Sequence, residues 1–247
     1  MIASAPATGR LYGVGLGPGD PDLLTVKATK ILGSAPVVAY FAKKGRRGQA
    51  RAIVDRWLCP ACLELPLLYP ITTEKHFSDP VYVETLRAFY EDATQRIADH
   101  LSAGRDVALI CEGDPLFYGS FMHLYVRLKD RFAVEVIPGV TGMSGCWSAA
   151  KVPITWGDDV LSVLPATLGG EDLAQRLGAC DAAIIMKLGA NLGKVRAAIR
   201  EAGREGAAIY VEHGTQEAEK IIRLEDKTDD LAPYFSMILI PGQGRRP

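Results

Sequence analysis

The sequence predicts an α/β protein made of two α/β domains with largely parallel sheets. Short apolar runs alternate with longer amphipathic stretches along the 247 residues, which is the pattern of strands joined by crossover helices. Glycines and aspartate–proline pairs separate the two kinds of segment, as they do where strands and helices end. The alternation breaks near Pro138 and then restarts. We therefore expect two domains, residues 9–138 and 139–247.

The first half opens with a strand at Leu11–Leu16 and a helix that begins at Asp20. Asp20 is expected to cap this helix, with Pro21 at its first position. A second pair, Asp79–Pro80, starts a long helix whose apolar residues recur every three or four positions until Gly104 ends it. The other elements expected here are strands at Pro36–Phe41, Asp106–Cys111 and Val134–Ile137 and helices at Gln49–Leu58 and Leu116–Lys129.

The second half repeats the alternation without a long linker. Its helix Ser144–Ala150 is rich in small residues, which allow a neighbouring element or a ligand to pack closely. The expected strands are Leu161–Leu164, Ala182–Met186, Ile209–Val211 and Ser236–Ile240. The other expected helices are Leu173–Leu177 and Leu192–Ala202.

Charge and composition exclude several classes of protein. The formal net charge is −1, so no broad positive field attracts nucleic acid or acidic lipid. No apolar run reaches the roughly 20 residues of a membrane-spanning helix, and the segment up to Gly9 lacks the pattern of a signal peptide. We expect a cytoplasmic protein that binds neither nucleic acid nor membrane.

The cysteines favour a reducing compartment over a disulfide framework, because the five of them are odd in number and scattered. Cys59 and Cys62 alone have the spacing of a metal or redox pair. A zinc site needs further ligands nearby, and none follows. A turn with two incidental thiols is the favoured interpretation, and no metal is expected.

A glycine-rich turn, Gly13–Asp20, joins the first strand to the first helix. The dinucleotide fingerprint G-x-G-x-x-G fails, because Pro18 or Asp20 stands at its last position. A P-loop would require lysine after the final glycine, where Asp20 stands. NAD and nucleoside triphosphates are thus disfavoured as ligands, and a purely structural tight turn remains an alternative.

Four further segments bring polar, small or aromatic residues to places where strands are predicted to end. Such ends are the usual ligand-binding edge of α/β proteins. Each segment taken singly is more typical of packing than of ligand contact. The segments are Glu112–Ser120, Pro138–Ser144, Ile185–Gly189 and Glu212–Thr215.

Together and in this order, these loops resemble those of the tetrapyrrole methylases, from Gly13 to about Gly242. The chain is most similar to members that methylate carbon 20 of precorrin-2, through Val14–Lys27, Tyr69–Thr72 and Gly113–Phe121. The resemblance implies methyl transfer from S-adenosylmethionine to precorrin-2, giving precorrin-3A and S-adenosylhomocysteine in cobalamin biosynthesis. It also implies a cofactor held in the cleft between two domains that differ from the Rossmann fold, and a homodimer.

Other functions stay open at this point. A different methylase of the family could act on cobalt-loaded precorrin-2, on uroporphyrinogen III or on a later precorrin. A protein that binds S-adenosylmethionine without catalysis is a rival from another class.

The resemblance also implies which residues contact the cofactor. Those expected around its methionine end are Gly113, Asp114, Phe117, Thr141 and Gly142. Those expected around its adenosine are Met186, Leu188, Gly189, Gly214 and Thr215. Pro18 completes the set, although its turn faces the substrate in this family as much as the cofactor.

The substrate carries many carboxylates, and a basic cluster follows the second strand. Its members are Lys43, Lys44, Arg46 and Arg47, with a solvated surface loop as the alternative. Gly17, Asp20 and Tyr69 are the other expected substrate contacts. His123 stands where some relatives have an aromatic residue, and a surface position on a helix is favoured for it.

No catalytic residue is assigned from the sequence. Methylation of an electron-rich methine carbon depends mainly on alignment of the reactants and needs no activated nucleophile. A proton must leave that carbon afterwards. Tyr118, Glu112 and His213 are candidate acceptors, together with water or a substrate carboxylate.

Overall fold

The computed structural model describes residues 8–71 and 79–244. The chain divides between Thr141 and Gly142 into two compact units, called unit 1 and unit 2 below. Each unit contains one five-stranded sheet with helices packed on it, which confirms the predicted α/β class. Thr72, the last residue of one segment that carries the family resemblance, lies outside the described residues.

The sheet of unit 1 is entirely parallel. It has the strand order β3-β2-β4-β1-β5. The strands are β1 (Leu11–Gly15), β2 (Val37–Lys43), β3 (Leu63–Tyr69), β4 (Val107–Cys111) and β5 (Val134–Ile137). The helices are α1 (Val26–Leu32), α2 (Gln49–Ile53), α3 (Pro80–Ser102) and α4 (Phe121–Leu128).

Both faces of this sheet are covered by helices, as expected for parallel strands. Along β4, Val107 and Leu109 lie in the core with residues of α3 and α4. Ala108 and Ile110 point the other way, into the core with residues of α1 and α2. Because all five strands run in the same direction, every loop that follows a strand lies at one edge, called the carboxyl edge here.

Four elements of unit 1 differ from the predictions. Helix α2 ends at Ile53 and not at Leu58. The helix expected at Asp20 is a 3₁₀ turn, and α1 begins later because Thr25 caps it, its hydroxyl accepting the N–H of Ala28. Helix α4 begins at Phe121 and not at Leu116, because Tyr118 has a left-handed φ of 55° that interrupts a helix. Strand β3 was not predicted. It contains Pro66, which an edge strand tolerates.

The sheet of unit 2 has the order β6-β7-β10-β8-β9. Its strands are β6 (Leu161–Pro165), β7 (Ala182–Met186), β8 (Ile209–Glu212), β9 (Lys220–Arg223) and β10 (Ser236–Ile240). Its helices are α5 (Gly142–Ala149), α6 (Gly170–Gly178) and α7 (Leu192–Glu201).

Strand direction distinguishes this sheet from the first one. Strands β6 and β7 are parallel, whereas β10 lies antiparallel between β7 and β8, and β9 is antiparallel to β8. Counted over both sheets, parallel pairings still prevail. The chain reverses direction after β8 to form β9, a strand that was not predicted, and β10 then also runs antiparallel to β8. Helices α6 and α7 cover one face of the sheet and α5 covers the other.

Three further properties concern the whole described chain. No helix in residues 8–71 or 79–244 is long and apolar enough to span a membrane. Within the same residues no group of three or more His, Cys, Asp or Glu side chains is arranged to hold a metal ion. The Cys62 N–H donates to the Cys59 carbonyl at 3.0 Å, so these two free thiols belong to a tight turn.

Candidate functional site

Two of the predicted loops of unit 1 are bonded directly to each other at its carboxyl edge. The Gly113 N–H donates to the Gly17 carbonyl at 2.8 Å, and the Gly17 N–H donates back at 3.3 Å. Both glycines have positive φ, 78° at Gly17 and 64° at Gly113, a conformation that L side chains rarely adopt. The loops after β1 and β4 therefore form a single main-chain unit.

A third loop, the one after β5, packs against the same place. A Cβ atom on Gly139 would lie 2.1 Å from the Gly113 carbonyl oxygen, and one on Gly15 would lie 2.5 Å from the Gly139 nitrogen. Both distances are impossible, so glycine is required where these backbones touch. Part of the glycine-rich motif thus serves packing. This agrees with the alternative prediction that the turn has a structural role.

Asp114 joins two of these loops through its carboxylate. One oxygen accepts the Leu116 N–H at 2.9 Å, and the other accepts the Gly139 N–H at 3.2 Å. The residue expected at the methionine end of the cofactor thus also binds the protein's own backbone. Because each carboxylate oxygen can accept more than one hydrogen bond, these contacts leave acceptor capacity for a ligand.

Strained residues occur mainly in the predicted ligand loops. The non-glycine residues with positive φ are Tyr118, Lys151, Lys187, His213 and Thr215, and all except Lys151 belong to segments singled out from the sequence. Such conformations cost about 1–3 kcal/mol each and cluster at functional sites. Tyr118 is 46% exposed and stands edge-on to Phe117, with 4.9 Å between ring centroids.

The basic cluster lies at the carboxyl edge of unit 1, and its side chains are exposed. They are not equivalent, because Arg47 is engaged with Asp55 in two hydrogen bonds. In the described part of the chain neither Lys44 nor Arg46 forms an ion pair. These two are therefore the better candidates for binding an external carboxylate.

A partly buried network holds the chain beside this cluster. Arg51, which is 9% exposed, donates to both oxygens of Glu64 at 2.8 and 2.6 Å and also to Asp55. Tyr40 donates to Glu64 at 3.0 Å. The hydrogen bonds from Arg51 lower the pKa of Glu64 and raise that of Arg51 itself. The network ties α2 to β2 and β3.

Tyr69 ends β3 within an aromatic group. Its hydroxyl donates to Ser120 at the start of α4, and its ring lies 4.8 Å from that of Phe89. His123 is exposed on α4, as expected, and stacks on Tyr90 at 4.2 Å. Desolvation of the stacked ring, together with the charge of Arg127, lowers the pKa of His123.

In unit 2 the predicted cofactor residues differ in what they can offer. Leu188 is fully buried in the core, so only its main chain is available to a ligand. Met186 is half-buried. A Cβ on Gly189 would meet nothing within 4 Å, and one on Gly142 would meet only the Met237 methyl at 3.7 Å. There is open space beside Gly189 and room for a methyl group beside Gly142.

The loop after β8 contacts helix α5. A Cβ on Gly214 would lie 2.6 Å from the Cys146 sulfur, so glycine is required in the loop where it packs against α5. The Thr215 N–H donates to Glu219 at 2.7 Å. The His213 N–H donates to the Phe235 carbonyl at 2.8 Å, and its Nδ1 lies 3.4 Å from Gln216.

A cavity of about 620 Å³ lies beside two of these loops, and the segments predicted from the sequence include only three of its ten lining residues. The residues around it are Gly189, Ala190, Glu212, His213, Lys220, Lys227, Asp229, Leu231, Ala232 and Pro233. Lys227 is 4% exposed and its ammonium contacts Asp229 at 2.5 Å. In the sequence, residues 225–230 are a run of charged and polar residues that is typical of a solvated surface, so the pattern gives no signal for a buried lysine.

A second cavity, of about 340 Å³, surrounds Arg204. Its guanidinium donates to the carbonyls of Leu177, Cys180 and Asp181, at 3.4, 3.0 and 2.5 Å. Backbone carbonyls therefore occupy the hydrogen-bond donors of Arg204, and its role at this cavity is structural.

Each unit by itself offers features that suit part of a sulfonium nucleoside. In unit 1, Asp114 offers a carboxylate. In unit 2, Gly142 and Gly189 leave room for a ligand group, and Met186 offers a polarizable apolar contact. The fold and these loops define an α/β protein whose glycine-rich turn after the first strand carries neither a dinucleotide motif nor a P-loop.

Comparison with known proteins identifies the family of this α/β protein. The model of the Tetrapyrrole (Corrin/Porphyrin) Methylases matches residues 10–228, and the chain belongs to this family. A Sinorhizobium protein named precorrin-2 C(20)-methyltransferase is 55% identical over 244 residues, which cover 99% of this chain and 100% of that protein.

Solved structures agree with the fold. That of the cobalt precorrin-4 methyltransferase CbiF has a TM-score of 0.73 and 27% identity, and covers 96% of both chains. That of the Thermus thermophilus uroporphyrin-III C-methyl transferase, complexed with S-adenyl homocysteine, has a TM-score of 0.64 and 23% identity, and covers 95% of this chain and 98% of the other.

Proposed function

We propose that this protein methylates carbon 20 of precorrin-2, with S-adenosylmethionine as methyl donor, and produces precorrin-3A for cobalamin biosynthesis. The observation that carries the proposal is the 55% identity to the Sinorhizobium precorrin-2 C(20)-methyltransferase over the full length of both proteins. The strand-end loops support the proposal physically, since they carry glycines that leave room, a carboxylate, and residues with positive φ of the kind that cluster at functional sites.

The protein's part in this reaction is alignment. When bound, S-adenosylmethionine supplies an electrophilic methyl group on a sulfonium. The residues must hold that group in line with the nucleophilic carbon, which is worth about 7–11 kcal/mol at best. The loops are joined by the main-chain hydrogen bonds between Gly17 and Gly113 and by the Asp114 carboxylate, which accepts the Gly139 N–H. Such a frame is suited to hold this geometry without reorganisation.

The proposed cofactor contacts are divided by the kind of group they offer. Main-chain groups are proposed to come from Pro18, Gly113, Thr141, Gly142, Leu188, Gly189, Gly214 and Thr215. Side chains are proposed to come from Asp114, Phe117 and Met186. Asp114 would offset the positive charge of the sulfonium or the ammonium while it keeps its backbone hydrogen bonds.

The proposed substrate contacts lie at the carboxyl edge of unit 1. Lys44 and Arg46 would receive carboxylates, because Arg47 is engaged by Asp55. Tyr69, Gly17 and Asp20 would complete the surface, although the Asp20 carboxylate also accepts the Asp22 N–H at 2.8 Å.

The decisive experiment is turnover. The purified protein is incubated with precorrin-2 and S-adenosylmethionine, the product mass is measured, and the methylated carbon is placed by NMR. A gain of one methyl at carbon 20 is expected. Methylation elsewhere, or only of cobalt-loaded precorrin-2, would assign a different member of the family. Cofactor binding without any S-adenosylhomocysteine formation would leave a non-catalytic binder.

Calorimetry gives an independent test of the cofactor. We expect one S-adenosylhomocysteine per subunit and no binding of NAD or ATP, because the phosphate fingerprints fail in the glycine-rich turn. Tight ATP binding without S-adenosylhomocysteine binding would contradict the proposal. Sedimentation of the same sample would test the homodimer that the family resemblance implies.

A further inference from the structure

Helix α2 has no N-terminal cap of its own. It is five residues long and begins after Gly48, which has no side chain and makes no capping hydrogen bond. The first N–H groups of a helix have no partners within it, and a helix this short is not stable alone. Water or another part of the chain must therefore satisfy them.

Glu112 satisfies one of them from the end of β4. Its Oε1 accepts the Ala50 N–H at 2.9 Å, from 62 positions further along the chain. Ala50 is the second residue of α2, where an N-cap side chain usually binds, and a carboxylate there also matches the positive end of the helix dipole. Ala50 is 2% exposed, so water reaches its N–H poorly, whereas Glu112 is itself exposed and approaches from the solvent side.

The capped helix follows the basic cluster directly in the chain. The segment Lys43–Gly48, called the basic loop here, runs from the end of β2 to the start of α2. Arg47 in the loop and Arg51 in α2 share Asp55, so the loop and the helix are coupled. The position of Lys44 and Arg46 therefore depends on where α2 begins.

We propose that Glu112 is a positioning residue that caps α2 and so fixes the basic loop for the carboxylates of the substrate. It is then not the base that removes the proton from the methylated carbon. The inference rests on the proposed function, because the basic loop gains its role from a polycarboxylate substrate.

The kinetic test compares Glu112→Ala, Glu112→Gln and a matched control, Glu91→Ala, which removes an exposed carboxylate from α3. Glu112→Ala should raise the KM for precorrin-2 about fivefold or more, with little change in kcat or in the Kd for S-adenosylhomocysteine. Glutamine keeps a carbonyl acceptor for the Ala50 N–H, so Glu112→Gln should have a KM for precorrin-2 close to that of wild type. A Glu112→Gln variant with normal KM and a kcat reduced about 10²-fold or more would identify Glu112 as the base and overturn the inference.

A second readout does not depend on activity. Hydrogen exchange at residues 48–53 should be about fivefold faster in Glu112→Ala than in wild type, and close to wild type in Glu112→Gln and Glu91→Ala. Equal exchange in all four proteins would reject the cap. If the four proteins exchange as predicted here but the wild type does not methylate precorrin-2, the proposed function is rejected and the cap is retained. Should Glu112→Ala fail to fold, the kcat of Glu112→Gln still decides between base and cap.

Discussion

Two glycines of unit 1 and two of unit 2 differ in what surrounds them. In unit 1, Gly15 and Gly139 lie where backbones touch, at distances that exclude a Cβ atom. In unit 2, a Cβ on Gly189 would meet nothing within 4 Å, and one on Gly142 would meet only the Met237 methyl at 3.7 Å. Glycine therefore serves packing at the first two positions and leaves room at the other two. Substitutions should accordingly affect stability at the first pair and ligand binding at the second pair.

The largest expected effect is on stability and comes from a substitution at one of the packed glycines. Gly139→Ala would place a Cβ 2.1 Å from the Gly113 carbonyl oxygen, and the backbone cannot yield without losing the Asp114 hydrogen bond. We expect a loss of about 3 kcal/mol in the free energy of unfolding, measured by denaturant titration. Gly142→Ala is the matched control and should change it by less than about 1 kcal/mol. Equal losses in the two variants would show that the packed and open glycines do not differ.

The next effect probes the open side. Gly142→Trp should weaken S-adenosylhomocysteine binding at least tenfold, about 1.4 kcal/mol, because the indole would occupy the space beside α5. Calorimetry on a variant shown to be folded measures it. Unchanged affinity would remove Gly142 from the proposed pocket.

Asp114 should affect both properties, because it binds backbone groups and is proposed to contact the cofactor. Asp114→Ala leaves the Leu116 and Gly139 N–H groups without their acceptor, at a cost of about 1–3 kcal/mol in stability. It should also weaken cofactor binding about tenfold. Thermal unfolding and calorimetry separate the two effects, and a loss of stability alone would make Asp114 purely structural.

The basic loop provides a smaller, salt-dependent effect. Replacing Lys44 and Arg46 with glutamate should raise the KM for the tetrapyrrole about tenfold or more. The increase should be larger in dilute buffer, because the Debye length there exceeds about 10 Å and the charges are less screened. Cofactor affinity should stay the same. Arg47→Glu is a poor probe, because it also breaks the contact with Asp55. A normal KM at low salt would leave the loop as solvated surface.

The smallest effect concerns pH. Hydrogen bonds from Arg51 lower the folded-state pKa of Glu64, so this pair stabilises the fold above the unfolded pKa of the carboxyl and ceases to do so as pH falls through the lower folded value. Because the Glu64 side chain is 40% exposed, solvent screening limits the contribution to about 1 kcal/mol. The stability difference between wild type and Glu64→Gln should therefore shrink from pH 7 towards pH 3, and a constant difference would argue against the ionic contribution.

Local patterns predicted much of the fold because they act over a few residues. The bounds of β5, β7 and β10 agree with the sequence prediction, since each is a short segment rich in apolar residues. The missed strands lack such a pattern. Strand β3 contains Pro66, which is acceptable only because β3 pairs on one side, and β9 has charged residues at both ends.

The sequence by itself determined the α/β class, the order of the loops and the family, because these follow from residue types at short spacings. Only the tertiary structure decided how individual residues are used. It showed which glycines touch another backbone, that Arg47 is engaged with Asp55 while Lys44 and Arg46 are not, and that Glu112 caps a helix 62 positions away. These properties depend on contacts between residues far apart in the chain, for which the pattern of neighbouring residues holds no signal.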